Sequence, residues 1–270
     1  LPKGAEIVSI AGRLIRSSDY AIEFSLHLRT RGGRRPFAFR IVVARNERER
    51  ADTVKAEIKN LQWLAPRLPK NTAPIISFGT VFQPDRHGRA ESHREMPAYL
   101  TKPIPRANRC SIGNAEQLAA GEPAARLLTR ADTDHVRRGV IELCLSAYDP
   151  ESRKALPPPD VERGALCMAD AGRGRTSLWI TGCPTLWDRI DAVTLTHRLA
   201  GFEWRRGNLV LPLLPSTPDQ LLEATTAALG KSTGRELLAN YLAALDSGRF
   251  PEHRRLTRET LRALLGESAS

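Results

Sequence analysis

A chain of 270 residues, 41% of them hydrophobic, is long enough to bury one or two cores. Lysine and arginine outnumber aspartate and glutamate by 41 to 30, a net charge of +11, so a polyanion is the natural partner, although arginine-rich codon usage alone gives the same excess. No apolar run has the length of a transmembrane helix, the N-terminal Leu1-Pro2-Lys3-Gly4 leads towards a strand rather than a signal segment, and Cys110, Cys144, Cys167 and Cys183 form no CxxC or CxxH pair; the expectation is a cytoplasmic chain with no membrane partner, no cofactor and no bound metal.

Residues 6–15 are short and β-leaning. After the polar turn Ser17-Ser18-Asp19, Ile22, Phe24, Leu26 and Leu28 alternate with Glu23, Ser25, His27 and Arg29, the period of a half-buried strand. Arg31-Gly32-Gly33-Arg34-Arg35 turns the chain into a return strand with Phe37, Phe39, Ile41 and Val43 on one face. Asn46 and Glu49 are spaced as a capping box, and Val54, Ile58, Leu61 and Ala65 recur at helical spacing up to Pro66. Strands are expected at 74–82 and 97–104, which makes the first hundred residues a ββαββ unit.

Residues 114–149 favour helix, interrupted at Gly121-Glu122-Pro123. Leu156-Pro157-Pro158-Pro159-Asp160 reads as a linker, since prolines suit neither helix nor central strand. A second hairpin is expected from Ala165–Met168 and Thr176–Thr181, then a helix at 185–198, a strand at 208–214, and helices at 218–229, 234–246 and 256–265. The fold class expected is α+β: two sheet-plus-helix units, of which a ferredoxin-like form is one version, with a basic helical insertion between them. The boundaries are 1–105, 106–160 and 161–270.

Arginines in the first hairpin suit phosphate, because guanidinium meets it in bidentate geometry and glycine lets the backbone approach. Candidate nucleic-acid contacts there are Arg29, Arg34, Arg35 and Arg40, with Arg126, Arg130, Arg137 and Arg138 in the helical insertion. Arg173 and Arg175 in a Gly/Arg loop repeat the pattern, and Trp204, Arg205 and Arg206 combine a stacking surface with cations. The bland account of each is a solvated turn or a core aromatic.

Gly230-Lys231-Ser232-Thr233 ends like a phosphate-binding loop, but Thr225 stands where its first glycine belongs, so a nucleotide P-loop is rejected. What remains is a helix start followed by Arg235. RNA can be cut without metal when its 2′-OH attacks the neighbouring phosphodiester, which needs a base or well-placed cations. Arg16, His27, Arg31 and Arg235 are the candidate catalytic set.

A second pattern competes. Ala38-Phe39-Arg40-Ile41 followed by Glu57 resembles the strand-three lysine and helix glutamate of a kinase small lobe, with Tyr99–Ile104 as the strand before the hinge. Gly201-Phe202-Glu203-Trp204-Arg205-Arg206-Gly207-Asn208-Leu209-Val210-Leu211 is similar to the HGDxHxGN loop of the aminoglycoside-phosphotransferase group. Arg40 stands for the lysine, Glu203 for the catalytic aspartate and Gly201 for the histidine, no Gly-rich phosphate loop precedes the hairpin, and no DFG follows Asn208, so an active kinase is not expected.

The basic hairpin at Arg29–Arg35, the Gly/Arg loop at Gly172–Arg175 and the basic insertion at 114–149 together resemble RAMP-type CRISPR repeat-RNA endoribonucleases, those of type IV systems in particular. That resemblance implies an antiviral-defence enzyme that cuts a hairpin-containing precursor RNA without metal and keeps the product, in company with other ribonucleoprotein subunits. The alternatives are a kinase-fold protein or pseudokinase, and a non-catalytic ribonucleoprotein subunit.

Overall fold

The computed structural model describes residues 5–45, 48–83, 94–104, 107–111, 125–127, 130–159, 165–172, 175–201, 205–206, 209–210, 217–250 and 255–266. The class is α+β, and the chain divides into two compact units. One holds residues 1–109, 113–126 and 167–184; the other holds 110–112, 127–166 and 185–270.

The first unit is built on a five-stranded antiparallel sheet in the order β1-β2-β3-β5-β4. Its strands are β1 (Ile7–Ser17), β2 (Ala21–Thr30), β3 (Phe37–Ala44), β4 (Ile75–Gln83) and β5 (Arg94–Thr101). Helix α1 (Arg48–Leu64) connects β3 to β4 and packs on β3, β4 and β5. Three strands precede this helix rather than two, because the β-leaning start of the chain pairs along β2 from Ile7 to Ser17. A ferredoxin-like βαββαβ order would place a helix after the first strand, where a tight turn joins β1 to β2 instead.

The alternation expected of β2 is present, and its register with β3 sets Phe24 against Ile41, Leu26 against Phe39 and Leu28 against Phe37. Those residues are only half-buried. The face that α1 covers is the other one, where Ala21, Glu23, Arg40, Val42, Ala44, Tyr99 and Thr101 are buried. Val54, Glu57, Ile58, Leu61 and Leu64 form the buried stripe of α1, spaced at three and four residues as one helix face requires.

The turn between β2 and β3 explains both of its glycines. Gly32 has φ of 73°, a left-handed conformation that glycine adopts without a side-chain clash, and a Cβ on Gly33 would stand 2.6 Å from Thr30 Oγ1. Strands β6 (Ala107–Ser111), β7 (Ala125–Leu127), β8 (Leu166–Gly172) and β9 (Arg175–Ile180) make a four-stranded sheet in the order β7-β6-β8-β9. The end of β9 is tied to the segment after α1: Ile180 N–H donates to the Asn71 carbonyl at 2.6 Å, and Asn71 Nδ2 donates to the Leu178 carbonyl at 2.8 Å.

The second unit is mainly helical. It contains α2 (Arg130–Ser146), α3 (Ala192–Ala200), α4 (Pro218–Leu229), α5 (Lys231–Asp246) and α6 (Arg255–Leu265), with the short pair β10 (Arg205–Arg206) and β11 (Leu209–Val210). Thr217 and Gln220 form a reciprocal capping box at the start of α4. Gly230 ends α4 at φ 84°, and a Cβ on Gly234 would meet the Thr225 carbonyl oxygen at 2.9 Å, so the glycines of the Gly230–Gly234 motif serve a tight helix junction. The proline segment expected as a linker is anchored, since Ala155 and Leu156 are buried and Ala155 bridges to Trp187.

Candidate functional site

Beneath α1 lies a buried polar cluster that the apolar surroundings make unusual. Arg40 projects from the centre of β3 and its Nε donates to Glu23 on β2; both side chains are about nine-tenths buried. Glu57 faces them from α1 and is 1% exposed. Its Oε1 accepts from the Tyr20 hydroxyl at 3.2 Å and from the Cys183 backbone N–H at 3.0 Å, while the Tyr99 hydroxyl lies beside the same carboxylate. Asn60, one turn further along α1, donates from Nδ2 to the Cys183 carbonyl at 2.9 Å.

The electrostatics follow from burial. Loss of water pulls the Arg40 guanidinium down, but Glu23, Tyr99 and Glu57 outweigh that and hold it further above its ordinary value. Burial pushes the Glu57 carboxyl up, against the opposing pull of Arg40. The Cys183 thiol is pushed up to about 12 by burial and by Glu57. Arg40 thus bonds directly to one carboxyl and feels the field of a second, and its charge is balanced inside the protein.

The expected contacts divide sharply. His27 and Arg29 are exposed on β2, and Arg31, Arg34 and Arg35 are exposed at the turn, so the hairpin does gather cations at one edge. Arg31 pairs with Glu6 at 3.1 Å, and His27 Nε2 lies 3.0 Å from Ser25 Oγ. Arg40 is a correction: it shares the sheet face of Ser25 and His27, but α1 covers its end of that face and Glu23 binds it. Arg137 is likewise 1% exposed within α2, among Val136, Val140 and Ile141, and presents no surface to a nucleic acid. Arg138 is exposed and bonded to Glu223 at 2.8 Å.

Arg235 is also corrected. The helix begins at Lys231, so Arg235 lies past the first turn, and its Nη2 donates to the carbonyls of Leu264 and Leu265 at 3.4 and 2.9 Å. It caps the end of α6 rather than awaiting an anion. Arg16 lies in β1, Arg126 in β7, Arg130 in α2, Arg175 in β9, and Arg205 and Arg206 in β10, with their side chains outside the described residues. Arg173, Trp204, Glu203 and Asn208 fall wholly outside them.

The residues that sequence reasoning missed as a group are Tyr20, Glu23, Tyr99, Asn60 and Cys183. A signal for them exists: Glu57 interrupts the apolar stripe Val54, Ile58, Leu61, and a carboxyl there needs partners on the facing sheet.

No protein-family model and no curated protein matches the chain. Among solved structures, a mutant of the PAN3 pseudokinase from Neurospora crassa is similar at 10% sequence identity and a TM-score of 0.32, the match covering 98% of this chain and 60% of that one.

Proposed function

We propose that the first unit is a small lobe of the protein-kinase type that has no phosphate chemistry, and that the chain is a non-catalytic binding protein. The observation that carries this reading is the disposition of Arg40, a strand-three cation paired with Glu23 and faced by the helix glutamate Glu57. In a kinase the strand-three lysine holds nucleotide phosphates and pairs with a helix glutamate. The order of three strands, helix and two strands supports the assignment.

Two further features argue against phosphate. A phosphate approaching Arg40 would have to displace Glu23 and would meet Glu57 as well, so like charges oppose it. The β1–β2 connection, where a Gly-rich loop would lie in a kinase, is the turn Ser18-Asp19-Tyr20, and Tyr20 is committed to Glu57. The test is thermal melting with and without ATP and Mg²⁺, alongside a phosphotransfer assay. No shift and no transfer are expected. A Mg²⁺-dependent rise in melting temperature that disappears in both Arg40→Met and Asn208→Ala would overturn the reading.

A second reading concerns the hairpin, whose tip exposes Arg29, Arg31, Arg34 and Arg35 together. It supports binding of RNA at that edge, and a metal-independent endoribonuclease acting on a CRISPR-type precursor is its most specific form. Sequencing nucleic acid that co-purifies with the chain distinguishes the forms. Discrete short RNAs with common ends support processing, intact RNA supports a ribonucleoprotein subunit, and nucleic-acid-free protein opposes both.

A further inference from the structure

The outer edge of the sheet is the strongest unexplained surface. Among the described residues β1 pairs only with β2, so its other side presents a row of backbone donors and acceptors. Irregular pairing between Ile7 and Ser9 and again between Leu14 and Arg16 brackets a regular stretch, Ser9–Leu14. Bulges of this kind bend and twist the strand locally, so the distortion falls at the two ends of the stretch and the pairing between them is regular.

The two faces of that stretch differ in chemistry. On one, Ile10 and Leu14 are 66% and 54% exposed, with Gly12 between them and Leu26 Cδ2 3.4 Å from where a Gly12 Cβ would stand. This is an apolar strip with a notch, continuous with Phe24, Leu26 and Leu28 on β2. On the other face, Arg13 stands opposite Ser25, while His27 and Arg29 follow along β2 opposite Ala11 and Ser9, and neither Arg13 nor Arg29 forms an ion pair among the described residues.

We propose that the free edge of β1 binds an extended segment of a partner protein in which apolar side chains alternate with acidic ones. Backbone hydrogen bonds would supply the pairing. Apolar side chains would lie along Ile10, Gly12 and Leu14, and carboxylates would meet Arg13 and Arg29. A second copy of this chain fits less well, because it would bring another cationic face against the first. Nucleic acid fits less well because it offers no partner for an apolar strip or a backbone ladder. This inference rests on the β1 edge and the β2 side chains beside it, and does not depend on the kinase reading.

The test uses a fluorescein-labelled peptide of alternating valine and glutamate, followed by anisotropy, with a blocked peptide of the same composition as control. The alternating peptide should bind and the blocked one should not. Arg13→Glu and Ile10→Lys, both at exposed positions, should each weaken binding about tenfold or more without changing the melting temperature. Backbone amides in Ser9–Leu14 should become protected from hydrogen exchange in the complex. Failure of the alternating peptide to bind, equal binding of the two peptides, or protection of Ser9–Leu14 by self-association in the absence of peptide would each overturn the proposal. Displacement of the bound peptide by a single-stranded RNA oligonucleotide, lost in Arg13→Glu, would reassign the edge to nucleic acid.

Discussion

Removing Arg40 alone should cost more than the pairing it makes, because Glu23 and Glu57 would then face each other under α1 without a cation. A stranded buried charge of this kind costs on the order of 3–5 kcal/mol, whereas apolar replacement of a whole pair is often near neutral. Arg40→Met should therefore lower stability strongly in urea denaturation. The double variant Glu23→Leu/Arg40→Met should recover most of that loss, since the raised Glu57 carboxyl can then stay protonated. A double variant weaker than the single one would contradict the cluster as described. Cys183 gives an independent check: a thiol held at about 12 has almost no thiolate at neutral pH. With Cys110 replaced by serine, a thiol-reactive dye should label the folded chain slowly and the urea-unfolded chain fast, because Cys144, Cys167 and Cys183 are buried.

Much of the element layout is legible in the sequence. Ile22, Phe24, Leu26 and Leu28 announce β2, the Gly-Gly turn announces β3, and the C-terminal helices fall within a few residues of their expected ends. The buried side of the sheet is not legible by the same rule. Alternation shows that β2 has two faces but not which one receives α1, and Glu23 and Arg40 lie beneath the helix because they neutralise each other there. The sequence does mark Glu57, a carboxyl set among Val54, Ile58 and Leu61 on the buried face of α1, but not which residues of the sheet meet it. In the hairpin, the exposed side chains keep the expected charge while Gly32 and Gly33 are accounted for by turn geometry. If Arg29, Arg34 and Arg35 each contact a phosphate, log K for a single-stranded RNA should fall with log salt at a slope of roughly −2, and each Arg→Ala change should reduce the slope by about 0.7. A slope near zero would remove the hairpin from consideration.

For the whole molecule, the charge of +11 is a cost as well as a lure for anions. Ion pairs such as Arg138–Glu223 and Lys55–Asp52 are exposed, and such pairs contribute little. Self-repulsion should therefore dominate the salt response. Raising ionic strength from about 0.01 to 0.15 M shortens the screening length from roughly 30 to 8 Å, and the melting temperature should rise over that range. A fall would mean that surface pairs outweigh the excess charge.

Cys183 shows what the buried cluster does to motion. Its N–H is accepted by Glu57 and its carbonyl is bonded by Asn60, so two side chains of a helix do for this residue what a neighbouring strand does in a sheet. The chain after β9 cannot leave α1 without breaking both bonds at once, and Glu57 cannot turn away without releasing Tyr20 too. Hinge-like swinging of α1 is thus opposed by three hydrogen bonds, two to the backbone of Cys183 and one from the Tyr20 hydroxyl.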